Sequence, residues 1–588
     1  MMARRGNDVM VQAGGKLLGD ADDRLGLAHF TTKSLNKIFP DHWSFMIGEI
    51  ALYSFIIVII TGVYLTFFFN PSLHHAVYHG PYKPLDGQSV SDAYASTVNI
   101  SLFVRGGLVM RQMHHWSADI FIGAIVVHMC RIFFTGAFRR PRETNWLIGV
   151  TLLFLAIVNG YLGYSLPDDL ISGTGVRIMF SVILGIPVVG TYFAFFFFGG
   201  NFPGTAYDYR MFIVHVFLLP GIIVGLLAAH LGILWHQKHT QFRATKGARE
   251  DNVVGSPVWP NYAFKSTGFF LITFGVIAAL GGLAQINPIW LYGPYIPYNV
   301  SYLVQPDWYM GWLDGALRLM PAWEVHLPGH MIPNQFFPAI FFPGFTTMIL
   351  FGWPFIEAKF TKENRWSHHL LDRPRDRPVR TAIGVATLAF YGITFLGSAS
   401  DLLAVFFNVS LNAVLWSLRM SLIFAPIAAG IIAYKLCKEL AAAPEAGRRK
   451  RASIIVRKSD GGYVLRESDV RPSDEKIELE PEEVPVAYFG RSTQLLAAGT
   501  GDGAGDGGAG DGEYREAAAD VASGSPALIG AGPSRAPRGG ILRAPRGPAP
   551  RAGGLLDSLL GRRSSRNGGN GGNGGNGGNG GNGRADGR

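Results

Sequence analysis

Eight runs of apolar residues, each long enough to cross a hydrocarbon core about 30 Å thick at about 1.5 Å per helical residue, leave this 588-residue chain few folds to adopt. They lie near 44–69, 112–136, 145–165, 211–235, 267–286, 336–356, 380–399 and 411–437. A segment in lipid must satisfy its own backbone hydrogen bonds, so runs of this length read as helices. The expected fold is an all-α integral membrane protein with eight transmembrane helices. At 48% hydrophobic and 16% charged residues, the composition excludes an ordinary soluble domain. A ninth apolar run at 178–198 contains Pro187 and a cluster of phenylalanines. It lies between two segments whose flanking charges already fix the topology, and is read as an amphipathic or half-buried loop helix.

Basic residues gather in alternate loops: RRPRE at 139–143, KHTQFRATKGARE at 238–250, KFTKENRWSHHLLDRPRDRPVR at 359–380, and KLCKEL with RRKR after the last span. The positive-inside rule makes these loops, and both termini, cytoplasmic in a bacterial cell membrane. Much of the net charge of +10 is therefore topological, and no nucleic-acid partner is expected. The first thirty residues show no apolar core followed by a small-residue cleavage site, so no cleaved signal peptide is expected. From about 443 the composition turns to Gly, Ala, Arg, Ser and Asp and ends in an Asn-Gly-Gly repeat, which reads as a disordered tail. Within it SIIVRKSDGGYVLRESD has the makings of a local hairpin. The expected division is a cytoplasmic segment 1–43, a four-helix bundle 44–237, a cytoplasmic linker 238–262, a second four-helix region 263–440, and the tail 441–588.

Histidines mark the first bundle. His114 and His128 are fourteen residues apart in the second span, and His215 and His230 fifteen apart in the fourth. Each pair spans about 21 Å of helix, with its members about 40° and 60° apart around the axis. Each helix therefore offers two imidazoles to one broad face. Ionisable groups in lipid are costly and usually mark a function, and helical bundles build cofactor sites from facing side chains. The spacing points to two b-type haems stacked across the membrane, with a proton relay or structural hydrogen bonds as the alternatives. Cys130 and Cys437 cannot make the Cys-x-x-Cys-His attachment of a c-type haem, so any haem is held non-covalently. His115 lies about 140° off the face of His128, which makes His114 the better ligand.

Glycines repeat the interval: Gly48 and Gly62 in the first span, Gly149 and Gly163 in the third. A porphyrin edge needs close backbone approach, which glycine permits, although helix packing alone also favours small residues. Arg111, one turn before His114, and Arg131, one turn after His128, are candidate partners for haem propionates. For Arg131 an ordinary cytoplasmic flank is the competing reading.

The segment NPIWLYGPYIPYNVSYLVQPDWYMGWLDGALRLMP, between the fifth and sixth spans, is unusually apolar for an exterior loop. It is suited to folding back as a lid. Asp307 and Asp314 lie two turns apart in it, and a buried carboxylate there is able to accept a proton. Asp307 after Pro306 is also a fair helix N-cap.

RQMHHWSAD with the first histidine pair, HVFLLP with the second, the four glycines, and QPDWY in the place of a Pro-Glu-Trp-Tyr motif together resemble the cytochrome b family of quinol:cytochrome c oxidoreductases, over roughly residues 30–437. The fifteen-residue interval and the Asp in place of Glu are similar to the actinobacterial branch. The resemblance implies that His114 and His215 ligate an outer low-potential haem, and His128 and His230 an inner high-potential one. It places quinol between Gly175–Ile178 and the PDWY segment, with Asp307 as proton acceptor and Tyr309 in the same motif. Asp314 stands where many relatives carry tyrosine. His236 approximates a histidine of the inner quinone site, displaced by one residue, and Ser266 stands where other members have an Asp.

The resemblance further implies separate Rieske iron–sulphur and c-type cytochrome subunits, a homodimeric complex, menaquinol as substrate, and association with a terminal oxidase. Surrounding membrane lipid completes the expected partners. Two other functions fit parts of the pattern. A dihaem anchor of another quinone-linked dehydrogenase would use paired histidines without the last four spans, and a transporter would show broken helices in inverted repeats.

Overall fold

The computed structural model describes residues 22–24, 26–204, 206–299, 303–363, 365–442, 451–457 and 463–469. Eight helices in it are long and apolar enough to cross a membrane: Trp43–Thr66, Gly107–Thr135, Glu143–Tyr164, Tyr207–Gln237, Val258–Leu283, Phe337–Thr361, Pro378–Ser398 and Leu411–Ala442. Each falls on one of the eight runs read from sequence. The ninth run belongs to two shorter helices, Leu170–Leu184 and Gly190–Phe198, broken at Gly185–Val189 around Pro187. Proline there removes a backbone donor and ends the first of them.

Local signals set the ends of these elements. Gly106 (φ 72°) and Gly136 (φ 64°) bracket the second span in left-handed backbone that glycine adopts without strain. Asp169 caps Leu170–Leu184 in a reciprocal capping box with Ser172. The fifth span begins at Val258, before the expected end of the linker, because a π turn at Val258–Tyr262 runs into the helix.

The first and second spans pack along their length, the fifth joins them, and the third packs against the fourth. The seventh and eighth spans form a second close pair, with the short helix Gly311–Leu319 laid on the seventh. Large apolar side chains such as Phe217 and Leu283 face outward, as lipid contact requires.

At one end of the spans the loops are pinned by charge. Arg380 meets Asp372 at 3.1 Å and also pairs with Glu357, while Arg139 reaches Asp372 at 3.2 Å. Arg380 and Asp372 are buried, and because each keeps a further partner, removing either weakens the network without isolating the other charge. Short ladders tie further loops together, among them Ile38–Phe39 with Ser256–Pro257 and Gln241–Phe242 with Leu370–Leu371. Arg451–Arg457 and Tyr463–Asp469 pair antiparallel, the hairpin anticipated in the sequence. The rest of the expected tail, beyond Ala442, lies outside the described residues.

Candidate functional site

The second and fourth spans bring their histidines face to face. His114 and His215 have ring centres 6.2 Å apart and planes inclined at 79°. His215 Nδ1 is 2.9 Å from the Asn159 carbonyl. His114 Nδ1 faces the Val58 carbonyl at 3.0 Å and the Thr61 hydroxyl at 3.1 Å. A carbonyl only accepts, so each Nδ1 carries the proton and each Nε2 keeps its lone pair for a ligand. With a metal–imidazole bond of about 2.0 Å, two rings across one metal have centres about 6 Å apart, which is the separation found. The donor set therefore fits an iron held between two imidazoles.

The unequal histidine intervals have a structural cause. His215 lies within a π turn, Val214–Leu218, followed by Pro220. A π turn takes in one extra residue, and Pro220 has no N–H to donate back to residue 216. Fifteen residues in the fourth span thereby cover the same depth as fourteen in the second.

Each of the four glycines faces one of the four histidines. A Cβ on Gly62 would stand 3.0 Å from the His114 ring and one on Gly48 3.1 Å from His128. A Cβ on Gly163 would collide with His215, whereas one on Gly149 would make ordinary contact with His230 at 3.6 Å. The close approach that glycine permits is to the imidazoles themselves.

Arg111 and Arg131 both carry unpartnered buried nitrogens. Arg111 is buried and donates through Nη2 to the Asn287 carbonyl at 2.9 Å, leaving Nε without a partner. Arg131 leaves Nε and Nη2 without partners and lies 4.3 Å over the Phe45 ring. Spare guanidinium donors beside the histidine pairs fit the carboxylates of a haem's propionates.

A cavity of about 290 Å³ opens beside the His114–His215 pair. His114, His215, Gly62, Gly163 and Arg111 line it together with Asp307 and Tyr309 of the PDWY segment. Asp307 precedes a short helical turn, Trp308–Met310, but its side chain makes no cap bond. Its carboxylate instead meets His115 Nε2 at 2.9 Å and accepts from the Tyr309 hydroxyl at 3.2 Å. His115 is thus turned away from His114's partner and toward Asp307, with Asp119 Oδ2 3.9 Å away. Spacing on the helix put His115 off the ligand face but did not show its target. The i, i+4 pairing of His115 with Asp119 was a local signal for a second polar face.

Other sequence candidates fall elsewhere. Asp314 is bonded to Arg318 at 2.9 Å and to the Ser398 hydroxyl at 2.6 Å. Arg318 also reaches Asp401 at 3.0 Å, so Asp314 belongs to an ion-pair set apart from the cavity lining. Burial pushes its carboxyl up, against the pull of Arg318. Gly175 is held to the third span by the Tyr161 hydroxyl at 2.8 Å and does not line the cavity. His236 is exposed at the end of the fourth span. The less exposed histidine there is His239, its ring 4.3 Å from that of Phe39 and tilted at 54°. Ser266 touches Tyr53, whose hydroxyl donates to Glu49 at 2.9 Å.

The family profile described as cytochrome b(N-terminal)/b6/petB matches residues 119–294. The cytochrome bc1 complex cytochrome b subunit of Streptomyces coelicolor is 51% identical over 426 residues, covering 72% of this chain and 78% of the relative. The subunit of the same name from Corynebacterium diphtheriae is 48% identical over 478 residues, covering 81% and 86%. That from Mycobacterium tuberculosis is 46% identical over 490 residues, covering 82% and 88%. Among solved structures, a chain described as hyperthermophilic respiratory Complex III shares the fold, with a TM-score of 0.51 at 19% identity over 71% of this chain and all of the other.

Proposed function

The chain belongs to the cytochrome b family of bc1-type respiratory complexes, and on that premise we propose that it oxidises quinol at its outer end and reduces quinone at its inner end. The family binds b-type haem. His114 with His215, and His128 with His230, would each hold a b-type haem, which would supply one-electron transfer between the ends. Arg111 and Arg131 would neutralise the haem propionates.

The observation that carries this reading is the shared outer cavity, in which the His114–His215 pair and the Asp307 carboxylate face one space. A quinol against the Asp307 side of this space, next to a haem held between the imidazoles, would deliver its electron and its proton to adjacent groups. Asp307 accepts the proton, and Tyr309, bonded to the same carboxylate, holds it in place. His115 fixes the other side of Asp307. The cavity walls, among them Phe55, Ile59, Phe121 and Phe212, are apolar and suit a flat apolar ring system between the histidines, shielded from water.

Protons released outside and taken up inside make the redox drop work against the membrane potential, at about 2.3 kcal/mol per charge per 100 mV. The second quinol electron leaves through a Rieske subunit and a c-type cytochrome subunit of a homodimeric complex in the bacterial cell membrane. Menaquinol is the proposed substrate, and the relatives' branch favours association with a terminal oxidase. Both termini face the cytoplasm.

The test is quinol-driven cytochrome c reduction by the purified complex carrying Asp307→Asn. Turnover should fall while both haem signals persist. Unchanged turnover would remove Asp307 from the mechanism.

A further inference from the structure

Beyond the cavity, on its outer side, lie three buried carboxylates that the reading above does not use. Leu166 and Pro167 line the cavity, and the chain continues directly into Asp168 and Asp169. Asp168, Asp169 and Asp208 are 6%, 0% and 1% exposed. Asp168 Oδ2 accepts from the Ser91 hydroxyl at 2.6 Å, and Oδ1 faces the Tyr207 hydroxyl at 3.5 Å. Asp169 uses Oδ2 to cap the following helix, leaving Oδ1 without a partner. Neither oxygen of Asp208 has a partner. A separate group points the same way: Tyr295, bonded through its backbone N–H to the Asp168 carbonyl, is buried with its hydroxyl unpartnered.

Buried carboxylate oxygens left without donors are costly, so a purely structural role accounts poorly for this cluster. Carboxylic acids that exchange protons account for it better. Burial pushes the Asp168 carboxyl up to about 7 and raises that of Asp169 as well. A group titrating near the working pH both accepts and releases a proton readily. The cations of the neighbourhood are Arg111, which faces Asp169, and Arg177, which lies beside Tyr295. Asp168 is faced by Ser91, Tyr207, Asp169, Asp208 and Tyr295, and Asp169 by Tyr94, Tyr164, Tyr292 and Arg111. Tyr164 lines the cavity, and Ser91 ends a strand whose first residue, Ser89, is exposed. The cluster therefore adjoins the cavity wall through Tyr164 and touches, through Ser91, a strand whose other end is exposed.

We propose that Asp169, Asp168 and Asp208 form the proton-release route from the outer cavity, an inference that rests on that cavity oxidising quinol. A proton leaves the quinol oxygen for the Asp307 carboxylate and passes by way of the Tyr164 region to this cluster. Each carboxylate takes up one proton and gives up one, and no electrons move.

The assembled complex is measured for quinol oxidation across pH, in water and in deuterium oxide, with Asp168→Asn, Asp208→Asn and the double variant. Asp169→Asn keeps a capping side chain and provides a further variant expected to fold. With unchanged haem spectra, turnover should drop at least fivefold in the double variant, the pH profile should shift, and the solvent isotope effect should rise. Asp208→Glu should restore most of the rate, and Asp86→Asn, on the exposed outer loop, should change nothing. A double variant with parental rate, pH profile and isotope effect would overturn the route. A parental complex that fails to oxidise quinol would instead overturn the reading of the cavity.

Discussion

At the outer end of the bundle His114 and His215 each set Nδ1 against a backbone carbonyl and open onto a cavity with an acid in its wall. At the inner end His128 leaves Nδ1 without a partner, His230 faces the Asn145 backbone without a well-formed hydrogen bond, and an arginine with spare donors lies alongside. The same helices, with matched spacing, thus fix ring tautomer by well-formed bonds at one pair and not at the other. The difference follows the work proposed for each end. Where quinol gives up an electron and a proton together, ring orientation and tautomer are fixed in advance. At the inner end the tighter constraint is Gly48 against His128, while Gly149 leaves His230 ordinary room.

Six substitutions would break or sharpen this contrast. The largest effect is expected from His114→Leu, which should remove the outer haem signal and abolish quinol oxidation, while His128→Leu should remove only the inner signal. Difference spectra of membranes check both. Next, Asp307→Asn should slow quinol oxidation by about 100-fold, the scale of a lost general base, with both haems retained. Stopped-flow haem reduction reads it.

The glycines divide the ends more finely. Gly163→Ala should lower outer haem occupancy, since overpacking of this kind costs about 1–3 kcal/mol, while Gly149→Ala should leave inner occupancy near parental. Pyridine haemochrome assays of the purified variants decide between them. The smallest effect is expected from Thr61→Val. It removes one of the two contacts to His114 Nδ1, worth about 1 kcal/mol, and leaves the Val58 carbonyl. A less electron-rich imidazole should raise the outer haem's midpoint potential slightly in a redox titration.

The spans were legible in the sequence because lipid demands uninterrupted apolar helix, and the histidine–glycine ruler was legible because helical geometry is periodic. Spacing could not reveal the π turn at His215, since a fifteen-residue interval reads as a rotation of about 60° unless the backbone is known to take in a residue. Nor could it separate Asp307 from Asp314. Both lie in one apolar loop, and only tertiary contact gives Asp314 to Arg318 and Asp307 to the cavity. His115 escaped because its partner is 192 residues away in sequence. Local pattern stops at the helix face, whereas the site is made where faces meet.

The most direct measurement is haem content per chain, with resolved reduced-minus-oxidised spectra, of the purified complex and its four single His→Leu variants. The account predicts two b haems in the parent, loss of the outer one in the His114 and His215 variants, and loss of the inner one in the His128 and His230 variants. A single haem in the parent, or a variant pair that does not share one lost signal, would contradict it.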